Sequence, residues 1–298
     1  MKCIDERFHS IHPQDQMQFY NFKEFEKIPT LTDYNLVSVG SNLDLFDHYN
    51  DVVYMHFEEP NCFWVPEQER RIRSNYNKIK KIISTCPYSV NYYNNLYNDD
   101  RRIYGFHPFN LKNIPTDFSK KYDVYFTGHV MLHNDFIWNY VKSIEKFNNC
   151  IVSFNYGKFK NVSYKEKLKL NAESKISVVH NCLINTKRTP LDEQYVGHEA
   201  FKNVKNSIFI PQPKTRSLEA AACKSIMLCH FEEFRCIEWY FEPNKDFIYW
   251  YNTDDLEEKI TEILKNYDKY TYIVDNAFNK LINNWTTNHF FEKYLKNI

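Results

Sequence analysis

Only five of the 298 residues are glycine, and the first half of the chain contains neither G-x-G-x-x-G nor a phosphate-loop pattern. Its strand-to-helix turns are therefore not built to wrap a dinucleotide or a triphosphate, and any nucleotide is expected elsewhere. Net charge is also missing, since 38 basic residues balance 38 acidic ones. Such a chain has no global field to hold a polyanion by counterion release, so nucleic acid is not the expected partner. The eight cysteines form no C-x-x-C pair and show no zinc-ligand spacing. No metal is expected from them, and most are expected reduced and buried. No run approaches the ~18 apolar residues of a membrane span, and the opening MKCIDERFHSIHPQDQ lacks the apolar centre of a signal peptide. A soluble, cytoplasmic chain is expected, in which the sequon Asn161-Val162-Ser163 has no use.

What is plentiful is aromatic and amide-bearing. Aromatic residues make up 17% of the chain, a bias that an AT-rich genome produces as readily as function does. The length suits two domains of ordinary size, either of them with ample core.

Taken in order, residues 1–34 carry no clear period and are expected to be peripheral. The apolar runs 35–39 and 51–56, with 79–84 and 102–105, read as buried parallel strands. Residues 67–76 and 87–97 read as helices, with Pro87 tolerated in a first turn. Strands alternating with helices imply a doubly wound α/β domain, where ligands gather at the carboxyl ends of strands. His56, Glu58 and Glu59 follow such a strand and form one candidate site, although charged residues there are also common in a solvated loop. His107, between Gly105 and Pro108, lies where a crossover between domains is expected, most simply as a packed linker histidine.

A second domain opens with a strand over 122–126 followed by Gly128, a turn able to bring amides near a phosphate. Residues 135–147 carry apolar side chains at helical spacing and read as a core-facing helix. Strands over 150–154 and 175–180 flank a helix over 164–173. The interruption 181–206 has no persistent period and reads as a lid, a binding loop or an insertion. Further on come a strand over 246–251, a helix over 254–266 with Thr253 as N-cap, and a last helix over 270–294.

The most constraining stretch is 211–229, PQPKTRSLEAAACKSIMLC. Pro211 and Pro213 bar a helix before Lys214, so one is expected to begin near Thr215. Arg216, Glu219 and Cys223 then lie near one stripe of it, and 226–229 reads as a buried strand. Taken alone, Arg216 and Glu219 are most simply a surface ion pair.

This stretch, with Phe241-Glu242-Pro243 and Asp246-Phe247-Ile248-Tyr249, resembles the C-terminal domain of group 1 glycosyltransferases, and within them the CgeB-like branch. The resemblance runs from about Tyr122 to the C-terminus. It implies a GT-B-like α/β fold, with two Rossmann-like doubly wound domains and an interdomain cleft. The expected limits are 1–115 for an acceptor-side domain, 116–275 for a nucleotide-sugar-binding domain, and 276–298 for a helix packing back towards the first. It implies that Glu219 binds the ribose hydroxyls of a nucleotide sugar and that nearby basic residues face its phosphates. The sequence departs from the family in two places. Lys224 stands where a glycine usually ends the helix, and Pro211 stands where an earlier glutamate is often found.

The expected activity is transfer of a sugar from a nucleoside diphosphate sugar to a glycan, protein or small molecule, with neither inversion nor retention selected. Gly128, Lys214, Arg216 and Glu219 are the expected donor-binding residues. Arg216, Lys214 and helix-end amides offer charge stabilisation for the leaving diphosphate, so no obligatory metal or other cofactor is expected. His56 or Glu58 is the expected general base on the acceptor side. The competing reading is a catalytically inactive sugar-nucleotide or glycan-binding structural protein on the same fold. A nucleic-acid glucosyltransferase would have to rely on a local basic patch such as Arg70, Arg71 and Arg73. Oligomeric state is left open.

Overall fold

The computed structural model describes residues 2–5, 22–27, 34–38, 49–56, 72–130, 135–184 and 209–298. Glu58, Glu59, Arg70, Arg71, the first half of the helix expected over 67–76 and most of the 181–206 interruption lie outside these residues. The chain divides into two compact units. One comprises Met1–Asn110, Leu183–Pro213 and Thr287–Ile298, and the other Leu111–Cys182 and Lys214–Thr286.

The first unit is built on a parallel sheet of β1 (Lys2–Asp5), β2 (Asn35–Ser38), β3 (Val52–His56), β4 (Ile79–Ser84) and β5 (Arg102–Tyr104), in that spatial order. The stretch expected to be peripheral thus supplies an edge strand, with Cys3 opposite Leu36. Every residue of β3 is buried, as a strand covered on both faces requires. Helix α1 (Pro87–Tyr97) starts with Pro87 in its first turn and stops where Asn98 turns left-handed, at φ 48°. Gly105 follows β5 because a Cβ there would collide with Ile83 Cγ2. The C-terminal residues pack on this unit. Thr287 N–H donates to Phe109 O at 3.1 Å and Tyr34 Oη to Leu295 O at 2.9 Å, while Phe290 meets Phe22 and Phe106.

The second unit carries a six-stranded parallel sheet. Its strands are β6 (Tyr122–Thr127), β7 (Asn149–Ser153), β8 (Phe159–Lys160), β9 (Ser174–Val179), β12 (Ile226–His230) and β13 (Ile248–Trp250), and its order is β13-β12-β9-β6-β7-β8. Between β9 and β12 in the chain, β10 (Cys182–Ile184) pairs with β11 (Phe209–Pro211) in a separate two-stranded sheet. From β6 the chain builds outward through β7 and β8, then returns to the other side of β6 for β9, β12 and β13. The order therefore reverses between β6 and β9. In a sheet of this type, that reversal opens a crevice at the carboxyl ends of the two strands.

The helices of this unit are α2 (Asp135–Ile144), α3 (Tyr164–Ala172), α4 (Thr215–Ala222), α5 (Thr253–Lys265) and α6 (Tyr267–Asn284). The apolar face expected on α2 is core, with Ile137, Tyr140, Val141 and Ile144 buried. Two expectations change. The N-cap of α5 is Asn252 and not Thr253, because Asn252 is extended and its Oδ1 accepts from Asp255 N–H at 3.0 Å. The helix expected over 270–294 ends at Asn284, where Trp285 leaves helical geometry and its indole N–H donates to Tyr240 O at 3.2 Å.

The motif around Phe241-Glu242-Pro243 is a turn. Asn244 takes φ 60°, and the Asp246 carboxylate accepts from Glu242 N–H and from Lys280 Nζ at 2.9 Å. Those residues hold α6 to the sheet. Cys86, Cys150, Cys182, Cys223, Cys229 and Cys236 are free and buried, as expected. No described helix is long and apolar enough to cross a membrane.

Candidate functional site

Helix α4 begins at Thr215, as its prolines and composition predict. Its N-cap residue, Lys214, is extended and makes no capping bond with its own side chain. Asn181, just past the end of β9, supplies one from a distance. Its Oδ1 accepts from Lys214 N–H at 2.8 Å, and its Nδ2 donates to Ser217 Oγ at 3.0 Å. The start of α4 is thereby tied to the carboxyl end of β9, beside the reversal point. Ser217 N–H reaches back to Lys214 O at 3.3 Å, while the amides of Thr215 and Arg216 precede any acceptor of their own helix, so this end carries a partial positive charge.

Arg216 adds a full charge there. Its Nη1 lies 3.3 Å from His180 Nε2, and its Nη2 would lie 3.2 Å from a Cβ placed on Gly128. Gly128 follows β6 and His180 follows β9 directly, so the guanidinium sits against both lips of the crevice. The structure thus brings together three residues expected from sequence: Gly128, Lys214 and Arg216. It also changes the reason for Gly128. That residue's N–H donates to Val152 O at 3.1 Å and is already engaged. What Gly128 contributes is the absence of a side chain where Arg216 lies.

His180 is buried among Tyr140, Arg216 and His230. Burial, the charges of Arg216 and Lys214, and His230 hold its imidazole well below the usual histidine range. A neutral ring carries one proton, and a guanidinium can only donate. Nε2 therefore accepts from Arg216, the proton sits on Nδ1, and Nδ1–H donates to Tyr140 Oη at 3.0 Å. At the end of the adjacent strand, His230 packs on Phe136 and Trp250, and burial pushes it down to about 4.

Glu219 turns the other way along α4. It is 1% exposed, its Oε2 lies 2.6 Å from Lys167 Nζ on α3, and its Oε1 accepts from Thr215 Oγ1 at 3.4 Å. The simpler expectation of a surface pair between Arg216 and Glu219 is overturned, because the carboxylate is enclosed and its cation comes from another helix. Cys223, on the same stripe, donates to Leu168 O.

The C-terminus of α4 explains how Lys224 replaces the usual glycine. Ser225 N–H donates to Ala220 O and Lys224 N–H to Ala221 O, both at 3.2 Å, which is a Schellman ending. Lys224 itself takes the left-handed φ of 51° and spreads its ammonium over Phe278 at 4.6 Å.

In the first unit, His56 ends β3 as expected and is fully buried, with its ring 5.7 Å from that of Tyr54. His107 is buried near the end of that unit. Among the described residues, no group of three His, Cys, Asp or Glu side chains is placed to hold a metal. Sequence reasoning did not single out Tyr140, Lys167, His180 or Asn181 as site residues. The signal for the last two was their position directly after a strand of a doubly wound sheet.

A parallel sheet with an arginine and a helix N-terminus gathered at its order reversal defines a doubly wound α/β protein with positive charge at the carboxyl ends of its strands. The chain belongs to the glycosyl transferase-like family, whose model matches residues 141–296, more than half of its length. No curated protein matches it. Among solved structures it is similar to TarM, known from S. aureus, at 15% identity and a TM-score of 0.58, covering 94% of this chain and 57% of TarM. It is also similar to Anabaena HepE in complex with UDP and glucose, at 10% identity and a TM-score of 0.56, covering 87% of this chain and 76% of that one. A third likeness is to sucrose-phosphate synthase from Thermosynechococcus elongatus, at 10% identity and a TM-score of 0.55, covering 94% and 77%. The fold is the GT-B-like α/β class expected from the sequence, and this chain spans little more than half the length of TarM.

Proposed function

We propose that this chain is a glycosyltransferase that moves a sugar from a nucleoside diphosphate sugar to a glycan or other acceptor. The observation that carries this reading is the position of Arg216, against Gly128 and His180 at the reversal point and at the N-terminus of α4. A diphosphate seated there would accept from the guanidinium and from first-turn amides, with Lys214 adding charge. These groups favour the state in which negative charge develops on the leaving oxygens. Glu219, one turn further along α4, is retained as the proposed ribose contact, a role that requires its enclosed carboxylate to leave Lys167. That UDP accompanies glucose in HepE and occurs in a TarM complex supports a uridine nucleotide as the first donor to try.

On the acceptor side we retain His56 and Glu58 as candidate bases. The reaction is proposed to need no divalent metal, since the chain supplies its own cations. The test is a panel of nucleotide sugars screened for thermal stabilisation, followed by transfer and hydrolysis assays with and without EDTA. A donor at a hundred times its Kd stabilises by about 2.7 kcal/mol. Arg216→Ala is expected to lower donor affinity and turnover at least tenfold, and Arg216→Lys to recover only part of the loss because the planar fork is gone. Full turnover by Arg216→Ala at saturating donor would remove the reading. Donor binding without any turnover would leave an inactive binding protein.

A further inference from the structure

We infer that Tyr140 and His180 are positioning residues for Arg216, with the buried Tyr140 hydroxyl accepting the Nδ1 proton of the imidazole tautomer that the guanidinium requires. The inference rests on the reading of Arg216 as the diphosphate contact. Tyr140 is 1% exposed and cannot itself meet a ligand. Its ring is fixed by Phe126, Phe136 and Trp250, with centroids at 5.4, 5.4 and 5.5 Å. Its hydroxyl reaches His180 Nδ1 at 3.0 Å, and the opposite ring nitrogen reaches Arg216 Nη1 at 3.3 Å. The chain of contacts runs from core to crevice through one imidazole.

The logic is one of donors and acceptors. An arginine side chain offers only N–H groups, so the atom facing it has to be a bare nitrogen. Neutral imidazole has one such nitrogen. Placing it at Nε2 puts the proton on Nδ1, deep in the protein, where an unmet N–H is costly. The Tyr140 oxygen meets that proton. Without it, the ring gains by turning or by moving its proton to Nε2, and an N–H then faces Arg216. Protonated imidazole would have the same fault, and the charges around the ring, Arg216, Lys214 and His230, all oppose that state. The guanidinium is thereby oriented with one edge on His180 and the other beside Gly128, and among the described residues its remaining donors meet no acceptor.

The test uses the full chain with UDP as the probe. Nitrogen-15 NMR of the wild type is expected to show His180 protonated on Nδ1. Tyr140→Phe removes one oxygen and keeps the packed ring. It is expected to bring in the Nε2–H form and to weaken UDP binding on the order of tenfold, equivalent to ~1.4 kcal/mol. In a His180→Gln background, where an amide oxygen can face Arg216 without a tautomer to set, Tyr140→Phe is expected to have no further effect. Wild-type His180 protonated on Nε2, unchanged affinity in Tyr140→Phe, or an equal loss in both backgrounds overturns the inference. Arg216→Ala separates the two levels. If it loses UDP binding while Tyr140→Phe does not, only the positioning role fails. If wild type binds neither UDP nor another nucleoside diphosphate, or Arg216→Ala binds it as well as wild type, the reading of the site fails and takes this inference with it.

Discussion

Replacing Glu219 by alanine would seem the direct test of a ribose contact, but its surroundings make it a stability mutant first. The carboxylate is 1% exposed and lies 2.6 Å from Lys167 Nζ, whose side chain is 20% exposed. Removing one partner of a buried pair costs about 3–5 kcal/mol when the other charge stays trapped. Lys167 has a partial route to water, so the bottom of that range applies, and we expect a loss of about 3 kcal/mol for Glu219→Ala. Glu219→Gln keeps the volume and a carbonyl for Lys167 and is expected to cost about 1–2 kcal/mol. Lys167→Met leaves the carboxyl group enclosed without its partner and is expected to cost about as much as Glu219→Gln.

The assay is urea unfolding of the four proteins of a double-mutant cycle at pH 7. Glu219→Gln combined with Lys167→Met removes both charges and is expected to be within about 1 kcal/mol of wild type. The coupling energy is expected to be ~2 kcal/mol, well above the ~0.5 kcal/mol scatter of independent sites. Additive losses would refute the claim that Lys167 and Glu219 stabilise each other. UDP affinity is then read in the Gln variant, where a change can be assigned to the carboxylate and not to a damaged fold.

Gly128→Ala would put a Cβ 3.2 Å from Arg216 Nη2 and 3.0 Å from Phe126 Cζ. The long arginine can give way, so stability should change by less than ~1 kcal/mol while UDP affinity, read by calorimetry, falls about tenfold as the guanidinium is displaced; equal affinity in both proteins would show that this contact does not set Arg216. For pH, His230 is lowered in the fold to about 4 from an unfolded value of ~6.5, so the fold favours the neutral ring and stability drops as pH falls through 6.5 towards 4. The full loss is about 3 kcal/mol, with His180 acting in the same direction, and a His230→Phe variant with the same slope of urea stability between pH 7 and 4.5 would contradict it. Lys224→Gly should relieve a left-handed residue worth about 1–2 kcal/mol, against ~0.5–1 kcal/mol for the cation over Phe278. The exposed contact with Asp275 at 3.9 Å adds next to nothing, so the urea midpoint should rise slightly, and a clear fall would mean the left-handed cost is overestimated.

Much of the second unit was legible because its signals are local. Fully apolar runs mark buried strands, the apolar spacing on α2 marks its core face, and two prolines followed by good helix formers mark the start of α4 at Thr215. The edge strand Lys2–Asp5 was not legible. A strand of four residues carries no period of its own and is defined by its pairing with β2. The break after Asn284 was also hidden, since it depends on Trp285 reaching the Tyr240 carbonyl 45 residues away.

The site was half legible for the same reason. The local stripe of α4 gave Arg216 and Glu219, and the end of β6 gave Gly128. The partners of those residues come from elsewhere in the chain: His180 lies 36 residues from Arg216, and Lys167 sits on the preceding helix. Helical spacing suggested that Arg216 and Glu219 would satisfy each other, but packing separates them. The carboxylate is drawn into the space between α3 and α4 and neutralised there, and the guanidinium is left to a neutral imidazole that cannot cancel its charge. A crevice that is to bind an anion needs that separation. Had Arg216 paired with Glu219, as their spacing invites, the helix would present a closed ion pair to a diphosphate; paired instead with His180, the arginine is held in place and keeps its positive charge.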